Sequence, residues 1–168
     1  MHLTFGLALD QLHIPLPNQA EGNRLYLGPQ LLLQRLEAFL GFARPKRQNE
    51  YLRIEQYRQA LQQYLDTAAH PPFYHRSFQA DAFGTAAELL DRRDELLLNG
   101  WDFQSETGIP DRLQTLVEVE QCIRTSSELS VSSGFAERWC DILRELPNGN
   151  HPVESIHCTD PISVFPPH

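Results

Sequence analysis

From Glu50 to Leu146 apolar residues return every three or four positions, a rhythm that commits most of the chain to amphipathic helices, each burying one face. The first such stripe lies earlier, at Leu32, Leu36, Phe39 and Leu40, between Gly28-Pro29, where proline suits a first helical position, and a stop at Gly41. The clearest stripe carries Ile54, Tyr57, Leu61, Tyr64, Leu65 and Ala68, and predicts a helix over 50–68 that His70-Pro71-Pro72 breaks. A third helix starts from Asp81 as N-cap, buries Ala86, Leu89, Leu90 and Leu97, and ends at Gly100 with Trp101 as its anchor. Pro110 and Asp111 open a fourth on Leu113, Leu116, Val117 and Ile123. After a serine-rich turn a fifth presents Phe135, Trp139, Ile142, Leu143 and Leu146 before Pro147-Asn148-Gly149-Asn150.

Strands are few. Leu3 to Leu9 reads as a strand buried on at least one face and closed by the turn Pro15-Leu16-Pro17-Asn18. Leu25-Tyr26-Leu27 runs directly into the first helix, and Val153 to Cys158 reads as a last strand of alternating burial. Strand, strand, helices, strand is an α/β order: a helix-rich chain whose small, mostly parallel sheet is covered by about five helices. We expect a single domain over residues 1–168, a length that buries roughly two thirds of the unfolded surface. The closing run Val164-Phe165-Pro166-Pro167-His168 has no structure of its own and reads either as a cut through a longer protein or as a simple flexible tail.

Composition excludes several classes. No stretch approaches the ~20 apolar residues of a membrane span and no secretory signal opens the chain, so we expect a soluble, cytoplasmic protein. Cys122, Cys140 and Cys158 are too widely spaced for a disulfide framework or a zinc site, and read as buried thiols. A net charge of −8 argues against the whole surface attracting nucleic acid, although a local patch can still do so.

The chain holds one lysine, Lys46, and no assembled catalytic motif. The turn Leu25-Tyr26-Leu27-Gly28-Pro29-Gln30 has the strand-turn-helix scaffold of a phosphate loop, but Pro29 removes an amide where a phosphate would need one and no lysine is near. Pro110-Asp111 with Glu118-Val119-Glu120 echoes the acidic order of a PD-(D/E)xK nuclease without its lysine, and reads instead as a solvated helix face. His151, His157, Cys158, Asp160 and His168 include zinc-ligand types at no recognised spacing. His70 and His75 read as loop residues. We therefore assign no catalytic, cofactor or metal residue. The densest basic cluster is Arg44, Lys46, Arg47 and Arg53, with Tyr51 beside it; these are the candidate nucleic-acid contacts, set against a plain solvated loop. The mixed run Asp91-Arg92-Arg93-Asp94-Glu95 reads as an exposed helix face or a polar contact to another domain.

Several phrases together resemble the N-terminal region of AddB-like helicase-nuclease proteins of the PD-(D/E)xK nuclease family. They are Leu27-Gly28-Pro29 with Leu32 and Leu36-Glu37 through Leu40-Gly41, then Arg53, Tyr57 and Leu61, then Phe73-Tyr74, Ser77-Phe78 and Asp81. Leu89-Leu90, Arg93-Asp94-Glu95-Leu96, Gly100-Trp101, Arg112-Leu113, Glu120, Ala136-Glu137-Arg138, Asp160-Pro161 and Phe165-Pro166-Pro167 continue the order over nearly the whole chain. The resemblance implies a degenerate first domain of a superfamily I helicase, with any nuclease lying downstream and a role in DNA repair and recombination. The partners it implies are the remaining domains of a longer chain, DNA and a helicase subunit. No catalytic residue carries over, because the matching positions are packing positions. The alternative is a free-standing helical module that binds another protein and has no connection to DNA.

Overall fold

The computed structural model describes residues 1–10, 24–42, 49–105, 107–148 and 152–161. The expected turn Pro15 to Asn18, the loop residues Arg44, Lys46 and Arg47, the histidines His151 and His168, and the closing proline-rich run lie outside these residues. The chain, read above as one domain, forms two compact units: residues 1–45 with 141–168, and residues 46–140.

The first unit is built on three short parallel strands, β1 (His2–Phe5), β2 (Arg24–Leu27) and β3 (Ser155–Cys158), in the order β2-β1-β3. His2 lies opposite Arg24 on one side and Ser155 on the other. Helix α1 (Pro29–Leu40) starts with proline in its first turn and buries Leu32, Leu33 and Leu36, as its stripe requires. Two strand expectations change. β1 stops at Phe5 rather than Leu9, because the chain turns: the Leu9 amide donates to the Gly6 carbonyl and the Leu7 amide to the Asp160 carboxylate. β3 does not alternate; all four of its residues are exposed, Ile156 and Cys158 included.

The second unit is helical. It contains α2 (Glu50–Thr67), α3 (His75–Ala80), α4 (Ala82–Leu98), α5 (Asp111–Thr125) and most of α6 (Phe135–Glu145), whose last turn belongs to the first unit. Asn49 caps α2 by accepting from the Leu52 amide, and Asp81 caps α4 by accepting from Gly84. The core gathers Tyr57, Ala60 and Leu61 of α2, Tyr74, Phe78 of α3, Ala86, Leu89 and Leu90 of α4, and Val119 of α5. Burying each of its leucines stabilises the fold by about 1.5–3 kcal/mol. A smaller cluster joins Leu116 and Val117 to Phe103, which is buried although its φ of 59° places a bulky aromatic in the left-handed region. The expected helix count was five; among the described residues it is six. The extra one is α3, a single short element between Pro72 and Asp81 that turns His75 from a loop residue into a helix start.

Candidate functional site

Two places concentrate polar chemistry, one in each unit. In the first, the amides of Gln30 and Leu31 at the start of α1 point at the carboxylate of Asp10, which accepts from them with one oxygen each, at 2.6 and 3.1 Å. The carboxylate therefore does what an anion does at a helix N-terminus: it satisfies orphan donors and meets the positive end of the dipole. Gly28 makes this approach possible, since a Cβ there would collide with the Asp10 carboxylate and backbone nitrogen. Pro29 has no N–H to offer. A phosphate at this turn would have to displace Asp10 and would find one amide fewer than a phosphate loop supplies.

The neighbouring turns are tied down in the same way. Asp160 accepts from the Leu7 amide at 2.7 Å, and the Thr159 hydroxyl and amide both donate to the Phe5 carbonyl. Asp160 and Asp10 are thus committed to backbone amides. Within the same unit, the outer side of α1 and the end of β2 border a cavity of about 380 Å³ lined by Leu27, Leu31, Gln34, Arg35 and Ala38.

In the second unit, two arginines and three carboxylates meet in the interior. Arg53 of α2 is 3% exposed; its Nη2 donates to Asp94 Oδ1 at 2.7 Å and to both oxygens of Glu137 at 3.1 Å, and its Nε donates to the Ser132 carbonyl. Arg93 of α4 donates through Nε and Nη2 to the two oxygens of Glu120 and through Nη1 to Glu137, and its guanidinium lies 5.8 Å from the centre of the Phe103 ring. Such planar, two-pronged pairing is what guanidinium geometry favours. The Gly134 amide donates to Glu137, and a Cβ on Gly134 would strike the Arg53 guanidinium, so the segment before α6 closes directly over the cluster.

Burial and charge pull the acids apart. Burial pushes the Asp94 carboxyl above its ordinary range, and the hydrogen bond from Arg53 only partly opposes this. Burial acts the same way on Glu137, but Arg93 and then Arg53 outweigh it and hold that carboxyl below its ordinary range. Tyr57 stands beside them with its hydroxyl fully buried, raised well above the usual phenol range first by burial and then by Glu120. That hydroxyl has no hydrogen-bond partner among the described residues.

The structure distributes the sequence-derived candidates differently from their spacing. Arg44, Lys46 and Arg47 lie outside the described residues. Arg53, grouped with them in sequence, is spent inside the fold on Asp94 and Glu137 and offers no guanidinium to a phosphate. Tyr51 stays at the surface, 76% exposed, and stacks on Phe83 with ring centres 6.4 Å apart. The run Asp91 to Glu95 is divided rather than wholly exposed: Arg92 pairs with Glu95 at the surface, while Arg93 and Asp94 turn inward. Glu118 and Glu120 are not a solvated pair either. Glu118 accepts from the Tyr64 hydroxyl, which burial and then Glu118 raise to about 12, and Glu120 is 3% exposed against Arg93. His157 and Cys158 lie on the exposed β3, and Cys122 and Cys140 are only partly buried, so the three thiols are not the core residues expected. Among the described residues no group of three or more His, Cys, Asp or Glu is arranged to hold a metal ion, and no helix is long and apolar enough to cross a membrane.

Sequence spacing missed the cluster because its members come from four helices. A signal was present nonetheless: Arg53 precedes Tyr57 and Leu61 at steps of four, Arg93 follows Ala86, Leu89 and Leu90, and Glu120 follows Leu116 and Val117. Charges of both signs occupy apolar stripes, which is stable only if they meet. Comparison of the chain with family models, with curated proteins and with solved structures finds no match.

Proposed function

We propose that this chain is a non-catalytic scaffold domain of a bacterial helicase-nuclease-type protein in DNA repair and recombination, derived from a helicase-like nucleotide fold and serving to contact DNA or a partner subunit. The observation that carries this reading is the Asp10 carboxylate on the α1 amides, with Pro29 beside it. A parallel strand leads through a glycine turn into a helix, the scaffold a nucleotide fold uses, and a carboxylate of the same chain stands where phosphate would bind. The scattered AddB-like phrases support the same reading, and the basic residues Arg44, Lys46 and Arg47 supply the DNA contact.

The experiment is a pair of titrations on the purified protein. Fluorescence anisotropy with labelled duplex carrying a single-stranded end should show binding that weakens steeply between about 50 and 200 mM salt. Joint replacement Arg44→Ala, Lys46→Ala and Arg47→Ala should remove most of it, and calorimetry with ATP and magnesium should show no heat. No DNA binding at low salt, or stoichiometric ATP binding, overturns the reading. The second reading, a protein-binding module unrelated to DNA, is favoured by the exposed Tyr51, Leu52 and Phe83 on the acidic chain. It predicts silence in the DNA titration and a partner whose binding is lost on Tyr51→Ala.

A further inference from the structure

The buried cluster of the second unit is unbalanced. Arg53 and Arg93 bring two guanidinium groups; Asp94, Glu120 and Glu137 bring three carboxylates, and Glu50 at the solvent rim reaches Arg53 Nη1 at 3.6 Å as a further acid. A buried surplus charge is costly, and the cheapest remedy is a proton on the carboxylate that uses its oxygens least. Glu120 engages both oxygens with Arg93. Glu137 engages both as well, one with Arg93 and Arg53, the other with Arg53 and the Gly134 amide. Asp94 engages only Oδ1, with Arg53 at 2.7 Å and Arg93 at 3.4 Å; among the described residues Oδ2 receives no donor, and the side chain is 20% exposed. A proton on Oδ2 would leave every bond of the cluster intact.

We propose that this cluster is a proton-operated latch on the segment Ser126–Gly134, which mild acid tightens by adding one proton at Asp94 Oδ2. Leu129 and Val131 of the segment pack on the helical core, and three of the hydrogen bonds at its end, among the described residues, are Arg53 Nε to the Ser132 carbonyl, the Gly134 amide to Glu137, and the Ser132 amide to Gln56 Oε1. Two of the three depend on the groups that share the surplus charge. The groups facing Asp94 are Arg53 and Tyr57 from α2, Arg93 from its own helix and Glu137 from α6, while Glu120 from α5 is engaged by Arg93. Tyr57 stays neutral under burial, and both arginines stay charged, so the carboxylates alone respond to pH.

The sign follows from the two shifts. Asp94 is raised in the closed state, so its proton favours closure fully below the ordinary aspartate range, and that contribution is lost as pH rises through the raised value. Glu137 is lowered, so it keeps its charge and its bonds while Asp94 takes up the proton. Opening of the segment should therefore decrease as pH falls through the raised Asp94 value.

The test is amide hydrogen exchange followed by NMR on the full chain, corrected for the intrinsic rate. Protection at Ser132 and Gly134 should increase on acidification by up to about tenfold for each unit by which Asp94 is raised. Asp94→Asn keeps an oxygen for Arg53 and balances two guanidinium groups against two carboxylates; it should show the acid level of protection at every pH. A carbon-13 titration of the Asp94 carboxyl in the unaltered protein should reach its midpoint above the ordinary aspartate value. Flat protection in the unaltered protein, an ordinary Asp94 midpoint, or an unchanged slope in Asp94→Asn each overturns the latch. None of these results depends on whether the protein binds DNA.

Discussion

Asp10 and Asp94 carry the same carboxylate into two different settings. Asp10 faces two amides at the start of α1, divides one oxygen to each, and needs only its own loop and one helix turn. Asp94 faces two guanidinium groups inside the second unit and depends on α2 and α6 as well as its own helix α4. The first arrangement is local, and its loss releases amides to water. The second is collective, so removing one member leaves the others buried and uncompensated, which is why breaking a buried pair costs far more than the pair contributes.

The largest effect should come from Arg93→Met, which strands Glu120 in the interior: about 3–5 kcal/mol in urea denaturation. The double variant Arg93→Met with Glu120→Gln should recover part of it. A double variant as unstable as the single one would break the contrast, because it would assign the cost to lost packing instead of an orphaned charge. Glu137→Gln should cost about 1.5–3 kcal/mol near neutral pH, the range for a hydrogen bond to a charged group. Because Glu137 is held low, its stabilisation is present above the ordinary glutamate range and lost as pH falls through its folded value. The gap between this variant and the unaltered protein should accordingly close below about pH 4. Asp10→Ala should cost about 0.5–2 kcal/mol, as loss of a cap does, and should not create ATP binding, since Pro29 remains. Glu55→Gln, which removes a surface pair with Arg58, should cost about 0.3 kcal/mol or less by thermal melting. A loss there as large as at Asp10 would show that exposure is not what separates these carboxylates.

Much of the local structure was legible. Pro29 and Gly41 bracket α1, Asp81 caps α4, and Pro110 precedes α5, each at the position its backbone chemistry assigns. α3 was not legible, because six residues between prolines and a capping aspartate are too few to show a period. Nor was the length of β1, which the Asp160 contact to Leu7 ends. At the candidate sites, the Gly28-Pro29 turn could be read as unfit for phosphate, but nothing near it in sequence pointed to Asp10, eighteen residues earlier.

What the sequence determined by itself is periodic or local: helices with one buried face, a few strands among them, a turn without a phosphate loop's amides and lysine. Those properties follow from neighbours one to four residues apart. Only the tertiary structure decided where the charges go. Arg53 reads as part of a basic loop until it meets Asp94 and Glu137, and Glu120 reads as a solvated acid until it meets Arg93. The reason is physical: a charge is tolerated inside a protein only by a partner of opposite sign at bonding distance, and these partners are separated in the chain by 27 to 84 residues.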